Sequence, residues 1–187
     1  MKRKVLIIGA GGIGSFLIPL LDKVGLYNKT VADPDKVETK NLSYQNFKIV
    51  SVGQNKASNM ADNYSGSVTK AIRFPILTEK QMQGYDLVIC CVDNLGLRRT
   101  LYNTKIKWLD LRAQGRNGAV VSHKADIKMY ESLLSGADGS FSCQGDSWDG
   151  SSKGLHFMHI AIAGMAAEWI QRWFNGESVN DFAVVNV

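Results

Sequence analysis

Lys4-Val5-Leu6-Ile7-Ile8-Gly9-Ala10-Gly11-Gly12-Ile13-Gly14 decides the fold, because a short β-branched run passes without a break into a glycine-rich turn. Residues 15–24 then carry helical spacing, Gly25 is placed to cap that helix, and residues 29–32 form a second apolar run. Strand, turn, helix and strand make a β-α-β unit, whose two strands lie parallel and whose crossover is almost always right-handed. Within it Gly9, Gly11, Gly12 and Gly14 satisfy GxGxxG directly after a strand and before a helix. Glycines there permit positive φ and let backbone amides approach phosphate oxygens at a helix N-terminus. A turn that needs glycine for packing alone is the plainer alternative.

Asp33 lies 19 residues past Gly14, at the end of the second strand, where an acid commonly accepts hydrogen bonds from ribose hydroxyls. A solvated turn acid beside Pro34 is the other reading of that position, and NAD and ATP both fit this much of the pattern. Farther along, residues 41–47 suggest a helical turn, 54–64 a helix and 67–73 a third strand. Leu87-Val88-Ile89-Cys90-Cys91-Val92, inside a strand expected over 86–92, is continuously apolar, as a central parallel strand covered on both faces must be. A helix over 95–105 and strands over 108–111 and 118–123 come next, the last antiparallel because its connection is so short. Residues 132–153, rich in Gly, Ser and Asp, have the composition of a flexible loop, and apolar helical spacing resumes over 155–174. Gly176 ends that helix before a strand-like tail over 182–187. The expected fold is α/β and Rossmann-like: a doubly wound, mostly parallel sheet with antiparallel strands toward the C-terminus, in one domain over 1–187.

Composition narrows the function classes. With 45% hydrophobic and 21% charged residues, the 187-residue chain is ordinary globular material. Its +5 charge comes largely from Lys2, Arg3 and Lys4, while the remaining basic residues are scattered among acids. The excess is a hint of acidic ligands, but the scattering reads first as a solvated, soluble surface, and nucleic acid would need a clustered basic stripe. Three cysteines, with Cys90 and Cys91 adjacent, build neither a disulfide framework nor a CxxC zinc pair, so a reducing, cytoplasmic setting without zinc is expected. No apolar run approaches the roughly 20 residues of a bilayer span, and no signal-peptide pattern is present.

The residues beyond the second strand separate ATP from NAD. Asp33-Pro34-Asp35-Lys36-Val37 runs into Asn41-Leu42-Ser43-Tyr44-Gln45, Lys56 falls on the next helix, and Cys91-Val92-Asp93-Asn94 comes after the central strand. In this order the segments resemble the adenylating domain of E1-like enzymes, the superfamily of ThiF, MoeB and the ubiquitin-activating enzymes. The resemblance covers about residues 4–105. It implies acyl adenylation, in which the C-terminal carboxylate of a ubiquitin-like or sulfur-carrier protein attacks the α-phosphate of ATP, the partners being that carrier and a second copy of the chain as a homodimer. The same resemblance implies phosphate contacts from Gly9, Gly11, Gly12, Gly14 and Lys56, nucleotide contacts from Asp33, Asp35, Asn41 and Gln45, and a Mg2+ ligand in Asp93. Lys56 and Asp93 are thus the catalytic candidates, together with Cys143, because some relatives pass the activated carboxyl to a cysteine. Phe141-Ser142-Cys143-Gln144-Gly145 has Asp146 beside it and no nearby cation to lower a thiol pKa, so an ordinary free cysteine is its alternative.

Two features depart from the family pattern. Tyr44 stands where Asn-Leu-x-Arg-Gln places an arginine, and the chain begins almost at the first strand, where many members have a helix with a further arginine. Lys40, Arg98, Arg99, Arg112 and Arg116 are the cations available to compensate, although Arg98 and Arg99 also read as solvated. The alternatives are therefore a nucleotide-binding relative without catalysis and, on the glycine turn and Asp33 by themselves, an NAD-dependent oxidoreductase. Asp93 and Asn94 are each also placed to cap the next helix. His156 and His159, three apart, lack a third metal ligand, and Trp169, Trp173 and Phe174 read as core with a share in a dimer surface.

Overall fold

In the computed structural model, described for residues 2–66, 69–126, 128, 144 and 150–187, seven strands form one sheet in the order β3-β2-β1-β4-β5-β6-β7. The strands are β1 (Arg3–Ile8), β2 (Tyr27–Ala32), β3 (Thr69–Ile72), β4 (Leu87–Cys90), β5 (Trp108–Gln114), β6 (Asn117–Ser122) and β7 (Phe182–Asn186). The first five are parallel; β6 and β7 join antiparallel. The doubly wound, mostly parallel sheet and its antiparallel C-terminal edge are as the sequence indicates.

Alternation along β1 creates the two faces. Val5 and Ile7 pack into one core with Leu17, Ile18 and Leu21 of α1 (Gly14–Val24), Met60 of α2 (Lys56–Asn63) and Ile162 and Ile170 of α5 (Met158–Phe174). Leu6 and Ile8 face Met82 of α3 (Glu79–Met82) and Leu97 and Leu101 of α4 (Leu95–Tyr102) on the other side. The helices therefore cover both faces of the sheet, and emptying a Leu17-type position costs about 2–5 kcal/mol. β1 pairs with β2 on one side and β4 on the other, so the chain reverses direction across the sheet beside β1. Ligands of such sheets bind at the carboxyl ends flanking that switch.

The elements differ from expectation mainly at their ends. Asn55 caps α2, its Oδ1 accepting from the Ser58 amide at 3.0 Å, so the helix starts later than 54. Asn94 does the same for α4 through Leu97. β5 runs three residues beyond 111 because Gly115, at φ +56°, turns the chain back through β6 in an unbroken hairpin. A 3-10 turn over Thr39–Ser43 replaces the helical turn expected over 41–47, and α5 begins at Met158 rather than 155. Of the expected 132–153 loop, only Gln144 and 150–153 are among the described residues.

Candidate nucleotide site

The glycine turn leaves β1 at Gly9, whose φ of +96° only glycine adopts without strain. A Cβ there would stand 2.5 Å from Val92 Cγ1, and one at Gly14 would stand 2.0 Å from the Gly9 carbonyl oxygen. Packing thus requires glycine at both positions, as the plainer reading of the motif holds. Gly11 is different: a Cβ would find nothing closer than Gln45 Nε2 at 3.9 Å. Packing does not require a bare backbone there, and the space above it is open. Ile13, the N-cap of α1, provides no side-chain hydrogen bond, and no acid lies in the first turn; the Ser15 and Phe16 amides donate to the Gly11 and Ile13 carbonyls, at 3.0 and 3.1 Å.

Asp33 braces this turn from the end of β2. Its Oδ2 accepts the Ala10 amide at 2.7 Å and its Oδ1 the Asp35 amide at 2.9 Å. Burial pushes the Asp33 carboxyl above the ordinary carboxylate range, against the opposing pull of those two amides and Lys56. Asn55, which the sequence pattern did not single out, ties the same corner together: Nδ2 donates to the carbonyl oxygens of Asp33, at 2.8 Å, and Asp35, at 3.1 Å. Its signal was available, since asparagine immediately before a helix is a favoured cap.

Lys56 opens α2 and is only 7% exposed, far from the free surface lysine its isolated sequence context suggests. Its Nζ lies 3.4 Å from Asp35 Oδ2, which brings this predicted pair to the turn that leaves β2. Asn41 is buried and used within its own 3-10 turn, accepting from the Glu38 amide at 2.9 Å and donating to the Tyr44 hydroxyl at 3.4 Å. Gln45, beside Gly11, is buried as well, and its Oε1 has no hydrogen-bond partner. A buried acceptor without a donor is costly unless a ligand or water supplies one.

On the other side of the turn, the end of β4 packs directly on Gly9 through Val92 and Cys91. Asp93 comes next, and Asn94 after it caps α4, its Oδ1 accepting from the Leu97 amide at 2.8 Å. Arg98 Nη1 reaches its Oδ1 at 2.7 Å. The structure corrects the reading of Arg98 as a solvated cation: it is buried, and its Nε also donates to Asp110 Oδ1 at 3.1 Å. Burial alone would lower the guanidinium pKa, but Asp110, Cys90 and Asp93 outweigh it and hold the pKa above its ordinary value. The signal for this was Asp110 inside the apolar run of β5, since a buried acid demands a cation.

The remaining candidates fall elsewhere. Cys143 lies outside the described residues. Cys90 is buried with its thiol pushed up to about 12 by desolvation and the nearby Asp110, so it supplies no thiolate. His159 is buried against Phe16 and Tyr44, and no group of three or more His, Cys, Asp and Glu residues suited to a metal occurs among the described residues. A cavity of about 470 Å3 lined in part by Arg3, Tyr85, Lys107, Trp173 and Phe174 lies by the starts of β1, β4 and β5, at the opposite end of the sheet from the glycine turn. No helix among the described residues is long and apolar enough to cross a membrane.

A glycine turn, a bracing acid, a buried lysine and an aspartate beyond the last apolar residue of β4, gathered at the carboxyl ends of β1, β2 and β4, define a doubly wound α/β protein with its polar cluster at the ligand end of the sheet. More narrowly, the chain belongs to the ThiF family, whose model matches residues 1–186. It is 32% identical over 109 residues to the ATP-dependent ubiquitin transferase-like protein Cap2 of Enterobacter hormaechei, an alignment covering 54% of this chain and 18% of Cap2. To the adenylyltransferase and sulfurtransferase UBA4 of Yarrowia lipolytica it is 31% identical over 112 residues, or 56% of this chain and 28% of UBA4. The chain thus spans under a third of these curated relatives. Among solved structures, PaaA superposes with a TM-score of 0.72 at 15% identity, covering 99% of this chain and 61% of PaaA. The E. coli MccB structure with ATP gives 0.67 at 16% identity, covering 94% and 57%. These two share the fold.

Proposed function

We propose that the chain is an ATP-dependent adenylyltransferase that activates the C-terminal carboxylate of a ubiquitin-like or sulfur-carrier protein as an acyl-adenylate. The observation that carries this reading is the open space over Gly11, where the nearest atom is Gln45 Nε2 at 3.9 Å, in a turn that Asp33 ties to the Asp35–Lys56 pair and that Val92 and Cys91 join to Asp93. Those residues fit ATP: bare amides and one buried cation meet phosphates, and Asp33 at the end of β2 has carboxylate lone pairs left for a ribose. They fit Mg2+ as well, because Asp93 offers a hard oxygen donor while the phosphates and water supply the rest of the shell. The metal, held by Asp93, would neutralise charge on the phosphates that leave.

In the reaction, a carboxylate oxygen of the carrier bonds to the α-phosphorus as the bond from that phosphorus to the bridging oxygen breaks, and pyrophosphate departs. No enzyme nucleophile is required. The chain's part is to place the α-phosphate over Gly11, to hold phosphate charge with the amides of the glycine turn and Lys56, and to keep the turn rigid through Asp33. The names of the relatives, UBA4 among them, support this class of reaction. Exposed Phe157, Ile160 and Met165 at and near the start of α5 support a second copy of the chain as a further partner.

ATP–pyrophosphate exchange, measured with purified chain, Mg2+ and a panel of carrier proteins, tests the proposal. Exchange that is lost on Asp93→Ala supports it. No exchange with any carrier, and no difference between Asp93→Ala and wild type, overturns it. Tyr44 favours a second reading, nucleotide binding without catalysis, because it stands where the family pattern places an arginine and its hydroxyl accepts from Asn41 Nδ2 at 3.4 Å. Calorimetric ATP binding without exchange supports that reading, and gain of exchange in Tyr44→Arg ties the loss to this position.

A further inference from the structure

Asp110 is fully buried in β5, and two arginines divide its carboxylate between them. Arg98 Nε donates to Oδ1 at 3.1 Å and Arg112 Nε to Oδ2 at 2.9 Å. One edge of the Arg98 guanidinium is thereby pinned, and the other edge extends to Asp93 Oδ1 at 2.7 Å. Asp93 is the more accessible end of this chain of charges, with 30% of its side chain exposed, and it stands where β4 meets the glycine turn. The carboxylate placed to hold a metal already has a counter-charge, itself fixed from beneath by a buried acid in the core.

We infer that Arg98 is a positioning residue that serves as the resident counter-ion of Asp93, and that Arg98 and the nucleotide's divalent cation compete for that carboxylate. The inference rests on the ATP reading of the site. An Asp93 without its arginine would present an uncompensated negative charge to a polyphosphate in a partly desolvated corner, where a charge at close range is worth several-fold more than in water. With Arg98 present, the nucleotide is tolerated without metal, and the metal adds less because it must share or displace an existing partner. Coupling between metal and nucleotide is therefore weak in the native chain and strong once Arg98 is removed, and by linkage it is the same seen from either ligand. Bridging two carboxylates also explains arginine here, since a planar fork offers donors on two edges and a lysine ammonium is a single point.

The test is ATP binding by calorimetry, in EDTA and in excess Mg2+, with the ratio of the two dissociation constants as the readout. In Arg98→Gln the metal-free affinity is expected to fall about ten-fold or more and the Mg2+ affinity by less than about three-fold, so the ratio rises. A purely structural arginine would weaken both by one factor, and an unchanged ratio in a folded variant overturns the inference. Should Arg98→Gln not fold, Arg98→Lys keeps a charge on Asp110 and carries the same test, with a smaller rise expected and an unchanged ratio again decisive. Adding Asp93→Asn to either variant must return the ratio to the native value or below; a ratio that stays high removes Asp93 from the account. Absence of ATP binding by the native chain in both buffers brings down the adenylation reading and this inference with it, whereas binding with an unaltered ratio brings down the inference alone.

Discussion

The Ala10 amide donates to Asp33 Oδ2 at 2.7 Å while the Asp35 amide donates to the other oxygen, so one buried carboxylate fixes both the turn leaving β1 and the chain leaving β2. Asp33→Asn turns one acceptor into a donor facing an amide, at a cost of about 1–3 kcal/mol. The pH dependence has a definite sign. Burial raises the Asp33 pKa, so the native chain holds this proton at pH values where the unfolded chain has lost it. The carboxyl's contribution to stability is then fully present below about pH 3.9, the unfolded value, and is lost as pH rises through the native one. Urea unfolding between about pH 4 and 7 should show the gap between wild type and Asp33→Asn narrowing as pH rises; a gap that widens contradicts this assignment.

Two glycines of one motif should behave in opposite ways. Gly14→Ala drives a methyl to 2.0 Å from the Gly9 oxygen, an overlap that only movement of α1 relieves. It should lose stability by at least the roughly 1–3 kcal/mol of an overpacked core. Gly11→Ala meets no atom closer than 3.9 Å and should keep the wild-type melting temperature within a few degrees. Its methyl instead occupies the space over the turn, so ATP affinity should drop about ten-fold or more. Equal ATP affinity in Gly11→Ala and wild type would place the phosphates elsewhere.

The residues that were legible in the sequence are those whose role is local. Gly9 to Gly14, the apolar run of β4 and the short β5–β6 connection announce themselves through spacing and chain geometry, and with them comes the sheet. Hidden features depend on contacts between distant segments. Lys56 looks solvent-borne until the Asp35 turn closes over it, 21 residues away, and Arg98 looks solvent-borne until β5 presents Asp110 beneath α4. Asp93 was balanced between capping and ligation in the sequence; only the structure shows Asn94 filling the cap.

Replacing Lys56 by methionine separates binding from stability. Its partner Asp35 keeps 67% of its side chain exposed, so the ion pair itself contributes about 0–1 kcal/mol. Unfolding free energy should therefore change little, with the aliphatic stem preserved. ATP affinity should fall by about 1.5–3 kcal/mol, the scale of a charge-assisted hydrogen bond, and the salt dependence of binding should flatten. A variant that loses stability but binds ATP normally would assign Lys56 to the fold alone.

His159 links the 3-10 turn of the site to α5, packed against Phe16 at 5.6 Å and edge-on to Tyr44 at 6.4 Å. Neither ring nitrogen has a hydrogen bond of acceptable geometry, although the backbone of Tyr44 and His156 lies near enough to favour the charged form somewhat. Burial dominates and lowers the pKa, so the native chain keeps His159 neutral at pH values where the unfolded chain has protonated it. Stability from this residue is complete above about pH 6.5, the unfolded value, and is lost progressively as pH falls toward the native one. His159→Phe preserves a ring between α1 and α5 and removes the titration. Its stability should decline less than that of wild type on acidification from about pH 7 to 5, with a residual slope left by His123, whose pKa burial also lowers. Parallel stability curves for the two proteins over that range would show that His159 titrates alike in the folded and unfolded chains.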